Sequence, residues 1–323
     1  MNDTIKIAIV GAGYMAQEHA KAFAALPGVA IVGVHSRTPA RADDLARRYG
    51  ARRFDSIVEM YEATKADVVI GAVPELSMPD VARQCFSHPW ICLLEKPVGL
   101  NLAEAEALLQ SSREQNATVY VALNRRSHSS TRQVLQELGD DPSPRIINVL
   151  DQQDMKVARD IGQPEPVVLN WMYANSIHLV DYLTFLGRGE IRKVDVVKPW
   201  TPNQPGLVVA GIHFASGDFG LYQAVWDGPG PWAVTVTTAK SRHEMRPLEK
   251  LTVQRRGERR FAEVPTDTVD TDFKPGLHFQ AQRIVAGVHG EPVCLPTLED
   301  ATRSMRLVAR IYGLDAISEQ HVL

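Results

Sequence analysis

The chain has 323 residues, of which 45% are hydrophobic and 23% charged, and its formal net charge is -3 at pH 7. Its length and apolar content suit a globular protein with a sizeable core and predict two domains. The weak negative charge gives no long-range attraction to nucleic acid or to an anionic membrane surface, so we expect a small-molecule partner, no nucleic acid and no membrane.

Cysteine usage and the start of the chain indicate the compartment. Cys85, Cys92 and Cys294 lack the CxxC spacing of metal sites and are too few for a disulfide framework, so no metal is predicted. The first strand pattern begins within five residues and leaves no room for a secretory signal, and no apolar stretch is long enough to span a bilayer. We therefore expect a cytoplasmic protein.

The first strand pattern, Ile5–Val10, runs directly into the turn Gly11-Ala12-Gly13 and then into a helical pattern from Met15 to Leu26. Gly11 permits a tight turn, Gly13 lets the backbone approach a pyrophosphate, and the free N–H groups of the helix then face the phosphates. An ordinary turn could carry the same glycines, but the strand before it and the helix after it favour a dinucleotide site. The predicted binding residues here are Gly11, Gly13, Tyr14 and Met15.

Strand and helix patterns alternate through the first third of the chain. The further strand patterns are Val29–His35, Asp67–Ala72, Trp90–Leu94 and Thr118–Leu123. The clearest helical patterns are Pro39–Tyr49 and Leu102–Gln115, the second with Asn101 as N-cap. Such alternation predicts an α/β domain with a parallel sheet covered by helices on both faces, and the almost wholly apolar strands agree with burial on two sides.

The pattern changes after Leu123. Leu207–Phe214 and Phe219–Trp226 flank a good hairpin turn, and Leu248–Gln254 pairs plausibly with Arg260–Val264, so this half predicts an antiparallel sheet. Helical patterns around Gln280–Val288 and at Leu298–Tyr312, the second with Thr297 as cap, close the chain. We predict a nucleotide-binding domain over residues 1–123 and a substrate-binding and oligomerisation domain over residues 124–323.

The end of the second strand bears on the choice of cofactor. In dinucleotide folds an acidic residue there binds the ribose 2′-hydroxyl and repels a 2′-phosphate. Here Ser36 and Arg37 follow the strand, with Arg41 one turn further on, and a hydroxyl with a guanidinium fork suits a phosphomonoester. We predict NADP(H) over NAD(H). Two other interpretations stay open, in which both arginines are merely solvated or Arg37 stacks on the adenine of either cofactor.

Glu95 and Lys96 follow directly on a strand pattern, so they lie at the carboxyl edge of the predicted sheet, where such folds bind ligands. As an ammonium, Lys96 can polarise a carbonyl or stabilise an alkoxide; as an amine it can accept a proton from an alcohol. Burial lowers its pKa and Glu95 opposes that, so its protonation state stays open. A solvated lysine before a turn proline is the alternative.

These motifs together resemble the family of glucose-fructose oxidoreductase, inositol dehydrogenase and MocA-like oxidoreductases, over almost the whole chain. The residues that carry the resemblance are Gly11-Ala12-Gly13, Glu95-Lys96-Pro97, Asn124-Arg125-Arg126 and Ile177-His178-Leu179-Val180-Asp181. The resemblance implies a Rossmann domain followed by an α+β domain with an open-faced, mainly antiparallel sheet through which homo-oligomers often form. It also implies NAD(P)-dependent hydride transfer at a carbon of a sugar or related polyol.

The resemblance assigns roles to individual residues. The family's lysine, here Lys96, contacts substrate and nicotinamide, and its histidine, here His178, serves as acid or base. From the residues alone, His178 begins a helical pattern, and a histidine there is more often structural than catalytic. Further cofactor-binding residues are predicted at the ends of the middle strands, at Ala72, Pro74 and Glu95. Predicted substrate-binding residues are Asn124, Arg126, Tyr173, Asn175 and Asp181.

Two departures from the family pattern affect the substrate. Family dehydrogenases commonly carry an aspartate four residues before the histidine, where this chain has Ala174. A histidine that often follows the proline corresponding to Pro74 is replaced by Leu76-Ser77-Met78. Loss of the carboxylate beside His178 suggests a shift towards carbonyl reduction, in which the enzyme supplies a proton instead of removing one.

The leading interpretation is an NADP(H)-dependent oxidoreductase that interconverts an alcohol and a carbonyl on a sugar, sugar acid or cyclic polyol. A regulator that binds NADP(H) and a metabolite without turnover is the second, kept open by Ala174 and opposed by the retention of Lys96 and His178. The third is reduction of a non-sugar ligand such as a dihydrodiol or a linear tetrapyrrole.

Overall fold

The computed structural model describes residues 4–201 and 206–314. Contacts divide them into two compact units. Unit 1 comprises residues 4–127 and 268–302, and unit 2 comprises residues 128–267 and 303–314. Each unit has its own sheet, and the predicted fold class, a Rossmann domain with a second, mainly antiparallel α+β domain, is confirmed.

The elements are numbered in chain order. The strands are β1 Ile5–Val10, β2 Val29–His35, β3 Arg52–Phe54, β4 Val68–Gly71, β5 Ile91–Leu94, β6 Thr118–Val121, β7 Ile146–Gln153, β8 Ile191–Lys198, β9 Leu207–Phe214, β10 Phe219–Trp226, β11 Ala233–Thr237, β12 Ser241–Met245, β13 Leu251–Arg255 and β14 Ala262–Val264. The helices are α1 Tyr14–Ala24, α2 Pro39–Tyr49, α3 Ile57–Thr64, α4 Met78–Phe86, α5 Leu102–Glu114, α6 Ser129–Leu138, α7 Met155–Asp160, α8 Glu165–Leu169, α9 Ile177–Leu186, α10 Val269–Asp272, α11 Leu277–Val288 and α12 Leu298–Tyr312.

Unit 1 is built on a six-stranded parallel sheet with the order β3-β2-β1-β4-β5-β6. The central strands are buried on both faces, which explains why their sequences are continuously apolar. The strand order reverses between β1 and β4, and the carboxyl ends of such neighbouring strands open a crevice for ligands. The turn after β1 lies at this switch point.

Two helix caps predicted from sequence are present. The Asn101 Oδ1 accepts a hydrogen bond from the Glu104 backbone N–H at 3.0 Å, at the start of α5. Thr297 Oγ1 accepts from the Asp300 N–H at 3.1 Å, and Asp300 Oδ2 accepts from the Thr297 N–H at 3.0 Å. Both caps satisfy N–H groups that a helix leaves without internal partners, which is why these helices begin where they do.

The C-terminal part of the chain returns to unit 1. Leu277, Ala281 and Ile284 of α11 join the same buried core as α1, and α11 begins at Gly276, where a Cβ would lie 2.3 Å from the Asn124 carbonyl oxygen. The two units therefore differ from the predicted division into residues 1–123 and 124–323. The physical reason is the apolar stripe of α11, which is buried against the first unit although it follows the second in sequence.

Unit 2 is built on an eight-stranded sheet with the order β14-β13-β12-β11-β7-β10-β9-β8. Every pair is antiparallel except β7 with β10, which run parallel. The predicted hairpin of β9 with β10 is present, with Phe219 opposite His213. Side chains alternate between a fully buried face, with Val149 and Tyr222, and a partly exposed face, with Leu150 and Leu221.

Unit 2 contains an ion pair between a buried carboxylate, Asp218, and the half-buried Arg188. The Arg188 guanidinium binds both carboxylate oxygens of Asp218, at 2.9 and 2.6 Å, and donates to the carbonyls of Asp141 and Ser143. Asp218 also accepts from the backbone N–H groups of Arg145 and Arg188. Burial alone would raise the pKa of Asp218, but these donors lower it to about 2. One carboxylate thus holds together a loop, a hairpin turn and the start of β7.

We expect Asp218→Asn to lower the free energy of unfolding by about 2 kcal/mol, because it removes a buried carboxylate that pairs with the half-buried Arg188 guanidinium and accepts from two backbone N–H groups. The pKa of Asp218 is depressed in the folded state, so its contribution is complete above about pH 4 and is lost as the pH falls towards 2. Urea unfolding at several pH values measures this. Asp160→Asn, at the exposed pair Lys156–Asp160, is the matched control and should leave the midpoint unchanged; equal midpoints for both variants at pH 7 would contradict the assignment.

Candidate active site

The turn after β1 depends on two glycines in different ways. Gly11 has φ +114°, and a Cβ there would lie 2.0 Å from the Ala72 carbonyl oxygen, so two backbone segments cross at a distance only glycine permits. Gly13 has φ -80°, and a Cβ there would meet nothing within 4 Å. Gly11 is required by the fold itself, whereas the space in front of Gly13 is open to a ligand.

Helix α1 begins directly after Gly13, and no side chain caps its first turn. Its first N–H groups have no helical partner, and the helix dipole places positive potential there, an arrangement that suits a pyrophosphate. A cavity of about 320 Å³ lies in front of this end. It is lined by Ala12, Gly13, Tyr14, Gln17, Ala40, Arg41, Asp44 and Leu45.

The predicted phosphate-binding residues follow β2 at the same edge. Ser36 is half-buried, and Arg37 and Arg41 are exposed. Neither arginine makes an ion pair within residues 4–201 and 206–314, whereas Arg47 and Arg48 at the far end of α2 both pair with Asp44. Arg41 lines the cavity, and the guanidinium groups of both Arg37 and Arg41 are therefore available to an anionic ligand.

The other predicted cofactor residues of unit 1 lie around the same turn. Ala72 is buried and its N–H donates to the Val10 carbonyl at 2.8 Å, while Pro74 is exposed just beyond it. Tyr14 is 63% exposed, with the Lys274 ammonium 5.2 Å from its ring centre, and Met15 is half-buried. The crevice therefore has an exposed aromatic ring and a cation on one side.

Glu95 points into unit 1. Its Oε1 lies 2.8 Å from the Nε2 of His19, which is fully buried on α1, and its Oε2 accepts from the Lys96 backbone N–H at 3.3 Å. Sequence reasoning placed Glu95 in the cofactor site and missed His19. The available signal was a polar residue on the buried face of α1, between Ala16 and Ala20. The contact ties the residue before Lys96 to the helix that starts at the glycine turn.

Lys96 is half-buried at the carboxyl end of β5. Burial lowers the pKa of its ammonium below the ordinary 10.5, and the charges of Arg125 and Lys274 act in the same direction, while Glu95 and Glu75 oppose the change. The net lowering brings the amine and ammonium forms closer in free energy. A lysine in this state can serve as a proton donor, a proton acceptor or a fixed positive charge.

The predicted substrate residues after β6 have different surroundings. Asn124 is buried, donates from Nδ2 to the Pro275 carbonyl at 3.0 Å and accepts from Arg125 Nη1 at 2.7 Å. The nitrogen and the oxygen of the Asn124 side-chain amide are therefore both hydrogen-bonded within unit 1. Arg126 is half-buried.

His178 lies in unit 2, in the first turn of α9, and is 5% exposed. It follows a π-helical turn, Met172–Ser176, and such turns are frequent at functional sites. Tyr173 and Ala174 are buried in this turn and Asn175 is half-buried. Trp232, which sequence reasoning missed, has its ring 6.2 Å from the His178 ring.

Asp181 is buried one turn after His178, and its Oδ1 accepts a hydrogen bond from Ser304 Oγ of α12 at 2.7 Å. Ser304 in turn lies 2.7 Å from the Thr184 hydroxyl. This set links α9 to α12 inside unit 2. Within the described ranges, no group of three His, Cys, Asp or Glu side chains is arranged to hold a metal ion, and no helix is long and apolar enough to cross a membrane.

A protein-family model described as an oxidoreductase family with an NAD-binding Rossmann fold, GFO_IDH_MocA, matches residues 5–123. The chain is 26% identical over 121 residues to glucose-6-phosphate 3-dehydrogenase of Bacillus subtilis, covering 38% of the chain and 34% of the relative. It is 25% identical over 211 residues to 4-carboxy-2-hydroxymuconate-6-semialdehyde dehydrogenase of Sphingobium, covering 64% and 65%.

The third relative, UDP-N-acetylglucosamine 3-dehydrogenase of Acidithiobacillus ferrooxidans, is 26% identical over 133 residues, 41% of each chain. Its solved structure superposes with a TM-score of 0.76 at 19% identity, covering 95% of this chain and 96% of that one. The sequence matches thus span between about a third and two thirds of the relatives' length. The structural match extends the likeness in fold to both units.

The two glycines should respond differently to the same substitution. Gly13→Ala should fold normally and bind NADPH and NADH about 10-fold more weakly, because its methyl group fills the space in front of α1. Gly11→Ala should lower the free energy of unfolding by about 3 kcal/mol, since it combines a strained φ with a backbone clash. Nucleotide titration and urea unfolding measure the two effects. Unchanged affinity in Gly13→Ala would refute the binding role of this turn.

Proposed function

We propose that the protein is an NADP(H)-dependent oxidoreductase, on the premise that residues 5–123 match the NAD-binding Rossmann-fold model of the GFO_IDH_MocA oxidoreductase family. It interconverts an alcohol and a carbonyl on a sugar, sugar acid or cyclic polyol. The observation that carries the proposal is Lys96, which stands at the carboxyl end of β5 with a pKa lowered by burial. It is a group able to exchange charge and protons at the ligand edge of a nucleotide-binding sheet.

The residues present fit a dinucleotide phosphate. The N-terminus of α1 and the open space at Gly13 suit the pyrophosphate, and Ser36 with the exposed Arg37 and Arg41 suits a 2′-phosphate. Asp44 also lines the cavity, but it is already paired with Arg47 and Arg48. The bound cofactor supplies or accepts a hydride at its nicotinamide ring, which no side chain can do.

The side chains handle the charge and proton that accompany the hydride. When the substrate carbonyl is reduced, negative charge develops on its oxygen, and the Lys96 ammonium stabilises that charge. His178 gives the proton to this oxygen, and it takes the proton back when the alcohol is oxidised. Ala174 places a methyl group, not a carboxylate, four residues before His178, and this favours the reductive direction.

The substrate class rests on relatives that act on sugars. Two of the three named above are 3-dehydrogenases of a sugar phosphate and of a nucleotide sugar. A second candidate follows from the longest of these alignments, which is to a dehydrogenase of a carboxylated semialdehyde. A carboxylated, non-sugar carbonyl compound is therefore the alternative substrate, and arginines such as Arg126 would suit its charge.

We also propose that the protein is a cytoplasmic homo-oligomer that associates through the partly exposed face of the unit 2 sheet. Supporting this, apolar side chains recur on that face of adjacent strands, at Leu150, Leu221 and Val209. Cys85 and Cys92 are free and buried, as in proteins of a reducing compartment.

The cofactor assignment predicts a selective loss. Replacing Arg37 and Arg41 together by alanine should weaken NADPH binding by about 10- to 100-fold, the value of one or two charge-assisted hydrogen bonds, and leave NADH binding unchanged. Fluorescence titration with both nucleotides measures this. Arg47→Ala, on the same helix and paired with Asp44, is the control and should alter neither affinity. If the double variant lost affinity for NADH and NADPH equally, the arginines would contact a part of the nucleotide that both cofactors have, and the 2′-phosphate assignment would be wrong.

The chemical roles predict loss of turnover without loss of cofactor. Lys96→Met and His178→Gln should each lower kcat by about 100-fold or more while the Kd for NADPH stays within about two-fold of the unchanged protein. The assay is nicotinamide absorbance with a panel of keto sugars, keto sugar acids, inosose and carboxylated semialdehydes. Lys156→Met, at an exposed lysine, is the control.

Two results would contradict these roles. Full turnover in Lys96→Met or His178→Gln would remove that residue from the chemistry. Tight NADPH binding without turnover of any panel member by the unchanged protein would favour a regulator that binds the same ligands.

A further inference from the structure

Unit 2 contains a buried carboxylate outside the proposed chemistry. Asp151 on β7 is 1% exposed, and within the described residues it has no hydrogen bond or ion pair to a lysine, arginine or histidine. Its Oδ2 accepts from the Tyr222 hydroxyl at 2.7 Å, and its Oδ1 accepts from Gln153 Nε2 at 2.7 Å. The Ser176 hydroxyl joins the same group through Tyr312, whose hydroxyl lies 3.3 Å away. Each oxygen of the carboxylate therefore accepts a hydrogen bond from a neutral side chain.

These contacts fix the direction of a longer chain of hydrogen bonds. Because the carboxylate only accepts, the Tyr222 proton points to Asp151, and Tyr222 can then only accept from the Tyr312 hydroxyl 2.8 Å away. Tyr312 also accepts from Trp226 Nε1 at 3.3 Å. The ionised carboxylate is therefore the terminal acceptor that orders the whole group.

Two branches of this group reach the π-helical turn that precedes His178. Ser176, its last residue, lies with its hydroxyl 3.3 Å from that of Tyr312 and is connected through Tyr312 and Tyr222 to Asp151. Asn175 donates from Nδ2 to Gln153 Oε1 at 2.9 Å, so the oxygen of that amide faces the turn and its nitrogen faces Asp151. Helix α9 continues directly from this turn, with His178 as its second residue. The orientation of His178 is thus linked to Asp151 through two adjacent residues.

We propose that Asp151 is a positioning residue that holds the Met172–Ser176 turn, and through it the imidazole of His178, by way of Ser176 and the Gln153–Asn175 pair. The inference relies on the proposed function only for what His178 does with its proton. The link from Asp151 to His178 depends on hydrogen bonds within unit 2. It can be tested whether or not a substrate is known.

The protonation state of Asp151 adds a pH dependence. Burial raises its pKa to about 6, against the lowering effect of its donors. The titratable groups that face it are Tyr222 from β10 and Tyr312 from α12, and burial raises the pKa of both, so they stay neutral. Below about pH 6 the carboxyl gains a proton, and one of its donors must then turn away. The turn is accordingly held most firmly above pH 6.

The test observes His178 itself. The imidazole resonance of His178 is identified by its disappearance in His178→Gln, and its chemical shift reports the ring orientation because the Trp232 ring lies 6.2 Å away. Asp151→Asn keeps the size of the side chain and removes the charge. We expect Asp151→Asn and Ser176→Ala to shift this resonance at pH 7.5. Where a substrate is known, kcat should fall about 10-fold with an unchanged KM for NADPH, as for a displaced catalytic group.

Matched controls separate positioning from stability. Ser130→Ala removes another buried serine hydroxyl of unit 2, bonded to the Leu248 carbonyl, and Asp218→Asn removes another buried carboxylate. Both should lower the Tm and leave the His178 resonance in place. If Asp151→Asn and Ser176→Ala lower the Tm but also leave the resonance unmoved, the proposal is overturned. If Asp151→Asn does not fold, Ser176→Ala alone decides by the same criterion.

Failure of the proposed function gives a different result. If no panel substrate is turned over and the His178 resonance still moves in Asp151→Asn and Ser176→Ala, the positioning role stands and the reaction class is wrong. If turnover is found and the resonance does not move, the reaction stands and the positioning role is wrong.

Discussion

The close crossing of the β1 turn with the end of β4 is the constraint on which unit 1 depends. Gly11 passes the Ala72 carbonyl at a distance that any side chain would prevent, and this brings the start of α1 to the point where the strand order reverses. The N–H groups of α1, the β2–α2 turn with Arg37 and the end of β5 with Lys96 all open on that edge. The His19–Glu95 contact then joins α1 to the residue before Lys96. The contacts that build the fold of unit 1 therefore also position the residues of its candidate site.

Two buried carboxylates of unit 2 show how the same group is stabilised in opposite ways. Asp218 is matched by the Arg188 fork, its pKa falls to about 2, and its charge is fixed under all ordinary conditions. Asp151 is matched only by neutral donors, and burial raises its pKa to about 6. The Arg188–Asp218 pair suits a purely structural role, because neither group changes its charge near neutral pH. Neutral donors leave the charge of Asp151 sensitive to pH, and this carboxylate lies beside the turn that leads into α9.

The sequence predicted those parts of the molecule that local pattern determines. The continuous apolar strands of unit 1, the caps at Asn101 and Thr297 and the β9–β10 hairpin each have a signal within a few residues, and all are present. The return of α11 to unit 1 and the His19–Glu95 contact join segments far apart in sequence, so no local pattern could show them. Strand β7 was missed because its buried face carries Asp151 and Gln153, polar residues whose partners come from β10 and the π-helical turn. The strand pattern before Lys96 placed it at the ligand edge, whereas the role of His178 came mainly from the family resemblance; both assignments remain predictions.

The environment of Lys96 bears on the direction of the reaction. Glu95 adjoins Lys96 in sequence, yet its side chain is turned to His19 and to the Lys96 backbone N–H, so it opposes the effect of burial on the ammonium without cancelling it. A lowered pKa makes the ammonium a better proton donor for carbonyl reduction and makes the amine easier to reach for alcohol oxidation. In the proposed reaction, the lowered pKa of Lys96 therefore favours neither direction. Under the proposed function, a preference for reduction would therefore have to come from the second proposed proton-carrying group, His178 in unit 2, which has Ala174 and no carboxylate four residues before it.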